Sequence, residues 1–83
     1  MRYVDGYVLP LAKRNTAAYR RMALKAGKIW KEHGALGYFE CAGDDLKPKG
    51  FNTFPKQLRL KRGETVFFSF VVYKSRRHRD QVN

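Results

Sequence analysis

The chain has 83 residues, enough for a single domain spanning residues 1–83, and its 43% hydrophobic content indicates a globular protein rather than a disordered one. A net charge of +11 would draw it toward nucleic acid or another acidic partner, unless the charges only solvate its surface. No apolar run approaches the roughly 20 residues that span a bilayer, no secretion signal is evident, and one cysteine excludes an internal disulfide, so we expect a cytoplasmic protein.

The first half of the chain is predicted to form a strand, a helix and a second strand. Residues 2–11 alternate as a strand does, and residues 36–42 predict the next strand. Between them, Asn15 is a suitable N-cap for a helix that ends near His33. Apolar side chains recur at helical spacing on the face expected to dock on the sheet: Tyr19, Met22, Ala23, Ala26, Ile29, Trp30 and His33.

The second half begins with a loop over residues 44–50. Residues 53–60 are ambiguous: two leucines alternate with bases as in a short edge strand, but Pro55 weakens that prediction. Residues 65–73 predict a strong strand, after which Ser75 is a suitable N-cap for the opening turns of a second helix.

The strand at residues 65–73 is apolar on both faces. Val66, Phe68, Phe70 and Val72 point one way, and Phe67, Val71 and Tyr73 point the other, so only Ser69 interrupts the pattern. The predicted long helix can cover one face only. The other face therefore requires a partner, and we expect a homodimer in which the sheets meet face to face.

The order β-α-β-β, followed by a truncated second helix, predicts an α+β fold with an antiparallel sheet, built as a ferredoxin-like split βαβ unit. A complete unit would add the rest of the helix and a closing strand. The sequence predicts a domain that lacks them.

Short motifs in this order resemble the YbaA-like family of small uncharacterised bacterial proteins, a domain of unknown function. They are Tyr3-Val4-Asp5-Gly6, Gly34-Ala35-Leu36, Glu40-Cys41-Ala42-Gly43-Asp44-Asp45, Phe54-Pro55, Gly63-Glu64-Thr65-Val66, Tyr73-Lys74-Ser75 and His78-Arg79-Asp80. The resemblance implies a ferredoxin-like domain that pairs as a dimeric α/β barrel. It implies no established activity, and members of the family continue beyond the equivalent of Asn83.

The candidate ligand pocket rests on polar groups placed within apolar strands. Buried carboxylates need partners, so Asp5 and Glu40 could bind a small polar molecule or move protons, or each could form a structural ion pair. Tyr7 and Ser69 add hydroxyl groups, and His78 lies in a motif shared with the family. These five residues are the candidate pocket, and whether the protein is an enzyme stays open.

Other site chemistries find less support in the sequence. There is no phosphate-binding glycine loop and no metal-ligand spacing, so we expect neither a cofactor nor a metal. A nucleic-acid-associated protein is the alternative function, with Arg76, Arg77 and Arg79 as candidate contacts. A structural dimer with no ligand is the third possibility.

Overall fold

The computed structural model describes all 83 residues as one three-stranded antiparallel sheet with helices packed against it. The elements in chain order are β1 (Tyr3–Ala12), α1 (Thr16–Glu32), β2 (Gly37–Ala42), α2 (Phe54–Leu58), β3 (Glu64–Tyr73) and α3 (Arg76–Val82). A single turn of 3-10 helix, Lys13–Asn15, joins β1 to α1. None of the helices combines the length and the apolarity needed to cross a membrane.

β3 lies in the centre of the sheet, paired with β1 on one side and β2 on the other, which gives the order β1-β3-β2. The prediction of an antiparallel sheet in an α+β chain is confirmed. The alternation of β3 places Phe67, Ser69, Val71 and Tyr73 beneath α1 and α3, and all four are buried. Most of the core therefore lies between this face and the helices, whereas Val66, which is 1% exposed, is buried on the opposite face near one end of β3.

The opposite face of the sheet, which we call the open face, has no helix over its centre. Phe68 and Val8 are 38% exposed, Val4 is 49% exposed and Phe39 is 50% exposed. Phe70 stacks on the ring of Phe39 at a centroid distance of 4.9 Å, and its ring is tilted against that of Phe68 at 5.7 Å. No charged side chain lies among these residues, and Glu64 at the start of β3 is the one charged strand residue on this face.

The molecule is a thin slab of 39 × 30 × 16 Å with a radius of gyration of 14.6 Å. A compact domain of this length would have a radius of gyration of about 12 Å. Only nine residues are buried. A shape this flat leaves one broad side of the sheet in contact with solvent.

The structure resolves one segment that the sequence left ambiguous and corrects one prediction about the long helix. Residues 54–58 form α2 rather than an edge strand, because Pro55 suits the first turn of a helix and Arg59 ends it in the left-handed region at φ 51°. The predicted stripe of α1 was also too wide: Met22 and Ile29 are 61% and 55% exposed. The face that docks is centred on Ala23 and Gly27.

Gly27 lets α1 approach the sheet closely at Tyr38. A Cβ at this position would lie 2.6 Å from Cδ1 of that ring, closer than real Cβ contacts occur. The same ring stacks on Trp30 at a centroid distance of 5.2 Å, so it cannot move without disturbing that stack.

We therefore expect Gly27→Ala to lower the free energy of unfolding by about 1–3 kcal/mol, although alanine is the better helix former by about 1 kcal/mol. Denaturant unfolding followed by tryptophan fluorescence measures the change. Lys28→Ala, one residue further on the exposed side, is the control and should stay within about 0.5 kcal/mol of the wild type. A Gly27→Ala protein as stable as the wild type would contradict the close packing.

Candidate functional site

Three of the five predicted pocket residues lie in one row across the helix-covered face. In the strand register, Tyr7 of β1 is opposite Ser69 of β3, and Glu40 of β2 is opposite the same serine. Directly opposed residues share a face of an antiparallel sheet, with neighbouring strands about 4.8 Å apart. The fold thus brings a phenol, a hydroxyl and a carboxylate into one line.

Glu40 is held by two tyrosine hydroxyls rather than by a base. The hydroxyl of Tyr38 donates to Oε2 at 2.7 Å, and the hydroxyl of Tyr19 donates to both carboxylate oxygens at 2.9 Å. No base of this chain forms an ion pair with Glu40. Hydrogen bonds to a charged group are each worth about 1.5–3 kcal/mol when partly buried.

This tyrosine–carboxylate cluster changes the acidity of its phenols. Burial, then the hydrogen bond to Glu40 and its negative charge, raise the pKa of Tyr19 to about 12, against a smaller lowering by Ser69. Burial and the same carboxylate also raise the pKa of Tyr38 above its ordinary value. Both phenols are therefore neutral hydrogen-bond donors at physiological pH.

The cluster opens into a groove of about 490 Å³ between α1 and the free edge of β2. We call this space the α1–β2 groove. Three cationic side chains of α1 line its rim: Arg20, Lys28 and Lys31. None of the three forms an ion pair, and all are exposed. The groove therefore offers one carboxylate and two phenol donors on its sheet side, with positive charge along its helix side.

Asp5 lies one row further along the sheet and is committed to a structural ion pair. Nη1 of Arg79 donates to Oδ1 at 2.9 Å and to Oδ2 at 3.2 Å, and the Asp5 side chain is only 17% exposed. The same guanidinium lies over the ring of Tyr3, 5.1 Å from its centroid. Asp5 joins α3 to β1 and does not line the α1–β2 groove.

His78 is also separate from the groove. Its backbone N–H donates to Oγ of Ser75, which confirms the predicted N-cap, and its Nδ1 accepts from the backbone N–H of Lys74. The ring meets Tyr73 edge to face. These contacts begin α3, so His78 supports the fold at the far end of the sheet.

Arg79 also forms an ion pair with Asp80, at 2.7 Å from Nε to Oδ1. Of the three bases proposed as nucleic-acid contacts, Arg79 is therefore already engaged, whereas Arg76 and Arg77 are exposed. Cys41 is exposed and lies on the open face.

Sequence reasoning missed Tyr19 as part of the site, because its position in the helical stripe indicated only core packing. Its ring does pack on Phe67, at a centroid distance of 4.9 Å. Only the docking angle of α1 shows that its hydroxyl reaches Glu40. No group of three or more metal-ligating side chains is present.

The family model described as "Protein of unknown function (DUF1428)" matches residues 2–83. The chain is also 37% identical to the uncharacterized protein YbaA of Escherichia coli K12, over all 83 residues and 71% of the length of that protein. The same identity and coverage hold for the YbaA proteins of Escherichia coli O157:H7 and Shigella flexneri.

The tyrosine–carboxylate cluster predicts a specific alkaline behaviour. Since the folded state favours the neutral phenol, the contribution of Tyr19 to stability is complete below about pH 10 and is lost as the pH rises through about 12. In Glu40→Gln we expect the most resistant tyrosines to ionise at lower pH than in the wild type, because the negative charge is gone.

Ultraviolet absorbance of tyrosinate, recorded during a pH titration, measures this shift. Asp44→Asn removes an exposed loop carboxylate instead and should leave the titration unchanged. Identical titrations for Glu40→Gln and the wild type would show that the carboxylate does not hold the two phenols.

Proposed function

Because the chain belongs to the DUF1428 family of proteins of unknown function, and its structure has both an open apolar sheet face and a polar groove, we propose that it is a cytoplasmic homodimer that binds a small polar molecule. The observation that carries the binding function is the Glu40 carboxylate, held by two neutral phenols beside three unpaired cations. Such convergent polar groups in a concave site are typical of ligand pockets.

The open face supports the dimer. Its exposed aromatic and branched side chains form a patch without charges, of the kind that marks a protein–protein interface. The broad side of the slab measures 39 × 30 Å, which is enough to contribute the roughly 800 Å² per partner of a standard interface. The partner we propose is a second copy, because every copy has the same exposed apolar face to bury.

The element order and the one-sided helices support a ferredoxin-like arrangement of this domain. Two such sheets, packed through their open faces, would form the dimeric α/β barrel that the family resemblance implies. In that assembly the α1–β2 groove stays on the outer, helix-bearing side of each protomer. Dimer formation and ligand binding are therefore separable in experiments.

A charge placed on the open face should break the dimer. We expect Phe39→Asp to be monomeric by light scattering at concentrations where the wild type is dimeric, because the interface would have to bury an unpaired carboxylate. Phe51→Asp makes the same substitution at a loop residue that is 68% exposed and should remain dimeric. A wild-type protein that is monomeric over the whole accessible concentration range would refute the homodimer.

The ligand that suits the groove has an anionic group for the α1 cations and a cationic or hydrogen-donating group for Glu40. Free glutamate is a suitable probe, and glutarate is the matched control because it lacks only the ammonium group. In NMR titrations we expect glutamate to shift the amide resonances of Tyr38, Glu40 and Lys28 in a saturable way.

Glu40→Gln should reduce the affinity for glutamate to that for glutarate, since the ammonium loses its charged partner. Asp44→Asn should leave both affinities unchanged. If neither compound gives saturable shifts at the groove up to tens of millimolar, the groove does not bind small polar molecules of this class.

A further inference from the structure

The chain between β2 and β3 carries a long run of positive charge. Residues 46–63, which we call the β2–β3 segment, contain six Lys and Arg side chains and no acid. All six are exposed: Lys47, Lys49, Lys56, Arg59, Lys61 and Arg62. None of them forms an ion pair within the chain, so their charge is open to a partner.

Three of these lysines converge on one hollow of the surface. Lys47, Lys49 and Lys56 line a space of about 450 Å³, and the other residues around it are proline, glycine and threonine. No carboxylate is among them. Lysine binds phosphate groups as a compact positive charge. The first hollow therefore offers a concave position for a phosphate.

A second hollow continues this surface toward the start of α1. It has a volume of about 720 Å³ and is lined by Lys13, Lys61 and Arg62, while Lys47 lines both hollows. The backbone N–H of Lys13 donates to the carbonyl of Gly63 at 2.8 Å, which holds the 3-10 turn against the segment. Three acids also line the second hollow: Asp44, Asp45 and Glu64. Positive charge is thus continuous across both hollows and strongest at the first.

Two exposed aromatic rings accompany the first hollow. Phe51 is 68% exposed and follows Gly50, and Phe54 is 43% exposed and lies between Thr53 and Pro55. The glycine, the threonine and the proline all line the hollow. Neither phenylalanine forms an aromatic pair within the chain. Exposed rings beside a cationic groove are the arrangement on which proteins stack the bases of single-stranded nucleic acid.

We propose that the β2–β3 segment binds single-stranded nucleic acid, with phosphates along the two hollows and bases stacked on Phe51 and Phe54. This inference goes beyond the proposed function and uses none of the groove residues. The segment leaves the sheet at the end of β2 and returns at the start of β3. Binding therefore requires neither a strand edge nor the apolar strand residues that the dimer would bury.

The aromatic rings favour this site over the other basic surfaces of the chain. α1 has five bases, but its aromatic side chains, Tyr19 and Trp30, pack on Phe67 and Tyr38 of the sheet. A strand bound there would meet charge without a ring on which to stack. Duplex DNA would meet the charge of the β2–β3 segment too, but its bases are already stacked on one another.

The same surface suits a membrane less well. A helix that lies in a membrane interface buries a continuous apolar side. Here Asn52 and Thr53 separate the two rings, and α2 has only five residues. Isolated rings between polar and basic residues suit a chain of alternating phosphates and bases better than they suit lipid.

Fluorescence anisotropy of a labelled oligothymidylate of about 12 nucleotides tests the proposal on the full chain. For each phosphate contact, the logarithm of the binding constant should fall by about 0.7 per tenfold rise in salt. At about 0.1 M salt we expect Lys47→Gln/Lys56→Gln to bind at least about tenfold more weakly. This variant should also lower the salt slope by about 1.4, because two contacts are lost.

Arg76→Gln/Arg77→Gln is the matched control, because it removes the same charge from two exposed bases of α3. β3 extends about 30 Å between the β2–β3 segment and α3. That distance is about three Debye lengths at 0.1 M salt. The control should therefore bind within about twofold of the wild type.

Substitution of Phe51 separates stacking from charge. Phe51→Leu keeps an apolar side chain but removes the ring, so we expect it to bind oligothymidylate at least about fivefold more weakly with an unchanged salt slope. Phe51→Tyr keeps the ring and should bind like the wild type. Duplex DNA should bind Phe51→Leu and the wild type equally. Because Phe51 is 68% exposed, both variants should fold normally, which circular dichroism checks.

Several outcomes would overturn the proposal. The absence of binding at about 20 mM salt would do so, because phosphate contacts are strongest there. Equal losses in the two double variants would show non-specific attraction to a basic chain, and a loss in the α3 variant alone would place the contact on α3. Equal binding of oligothymidylate by Phe51→Leu and the wild type would refute the stacking. Phosphatidylserine vesicles that displace the oligonucleotide from both proteins equally would identify a membrane as the partner.

Discussion

The structure depends on a central strand that is apolar on both faces in a chain whose helices α1 and α3 both pack on the same face. β3 buries Phe67, Val71 and Tyr73 under α1 and α3, while its other face leaves Phe68 more than one third exposed. Burial of apolar area stabilises by about 25 cal/mol per Å². Covering the exposed face would therefore stabilise the domain further. The flat shape and the large radius of gyration have the same cause.

The covered face has to accommodate polar groups, and it does so in two ways. Asp5 is neutralised by Arg79, which also ties α3 to the first strand. Glu40 instead receives hydrogen bonds from two phenols, which leaves its charge uncompensated by any base of this chain. The first arrangement is a structural device. The arrangement around Glu40 keeps an anionic group available at the side of a groove. The sequence analysis had treated Asp5 and Glu40 alike, and this difference separates them.

Positive charge is distributed in a way that complements this division. The open face has one charged strand residue, Glu64 at the start of β3, whereas α1 has five bases and a single acid, Glu32. A neutral apolar surface and a basic polar surface suit different partners, one by desolvation and one by long-range attraction. The five bases of α1 therefore do not oppose association through the open face, because α1 lies on the other side of the sheet.

The sequence by itself determined the strands, the long helix, the N-cap at Ser75 and the two-faced character of β3, because alternation and capping are local properties. It also identified Tyr7, Ser69 and Glu40, which the register then placed in one row. Only the tertiary structure decided that Arg79 pairs with Asp5, that Tyr19 reaches Glu40 and that residues 54–58 are helical. The first two contacts join residues 74 and 21 positions apart. These contacts form only at the angle at which each helix docks on the sheet. Close packing, such as that of Gly27 on Tyr38, sets this angle. The periodicity of the sequence does not encode such packing.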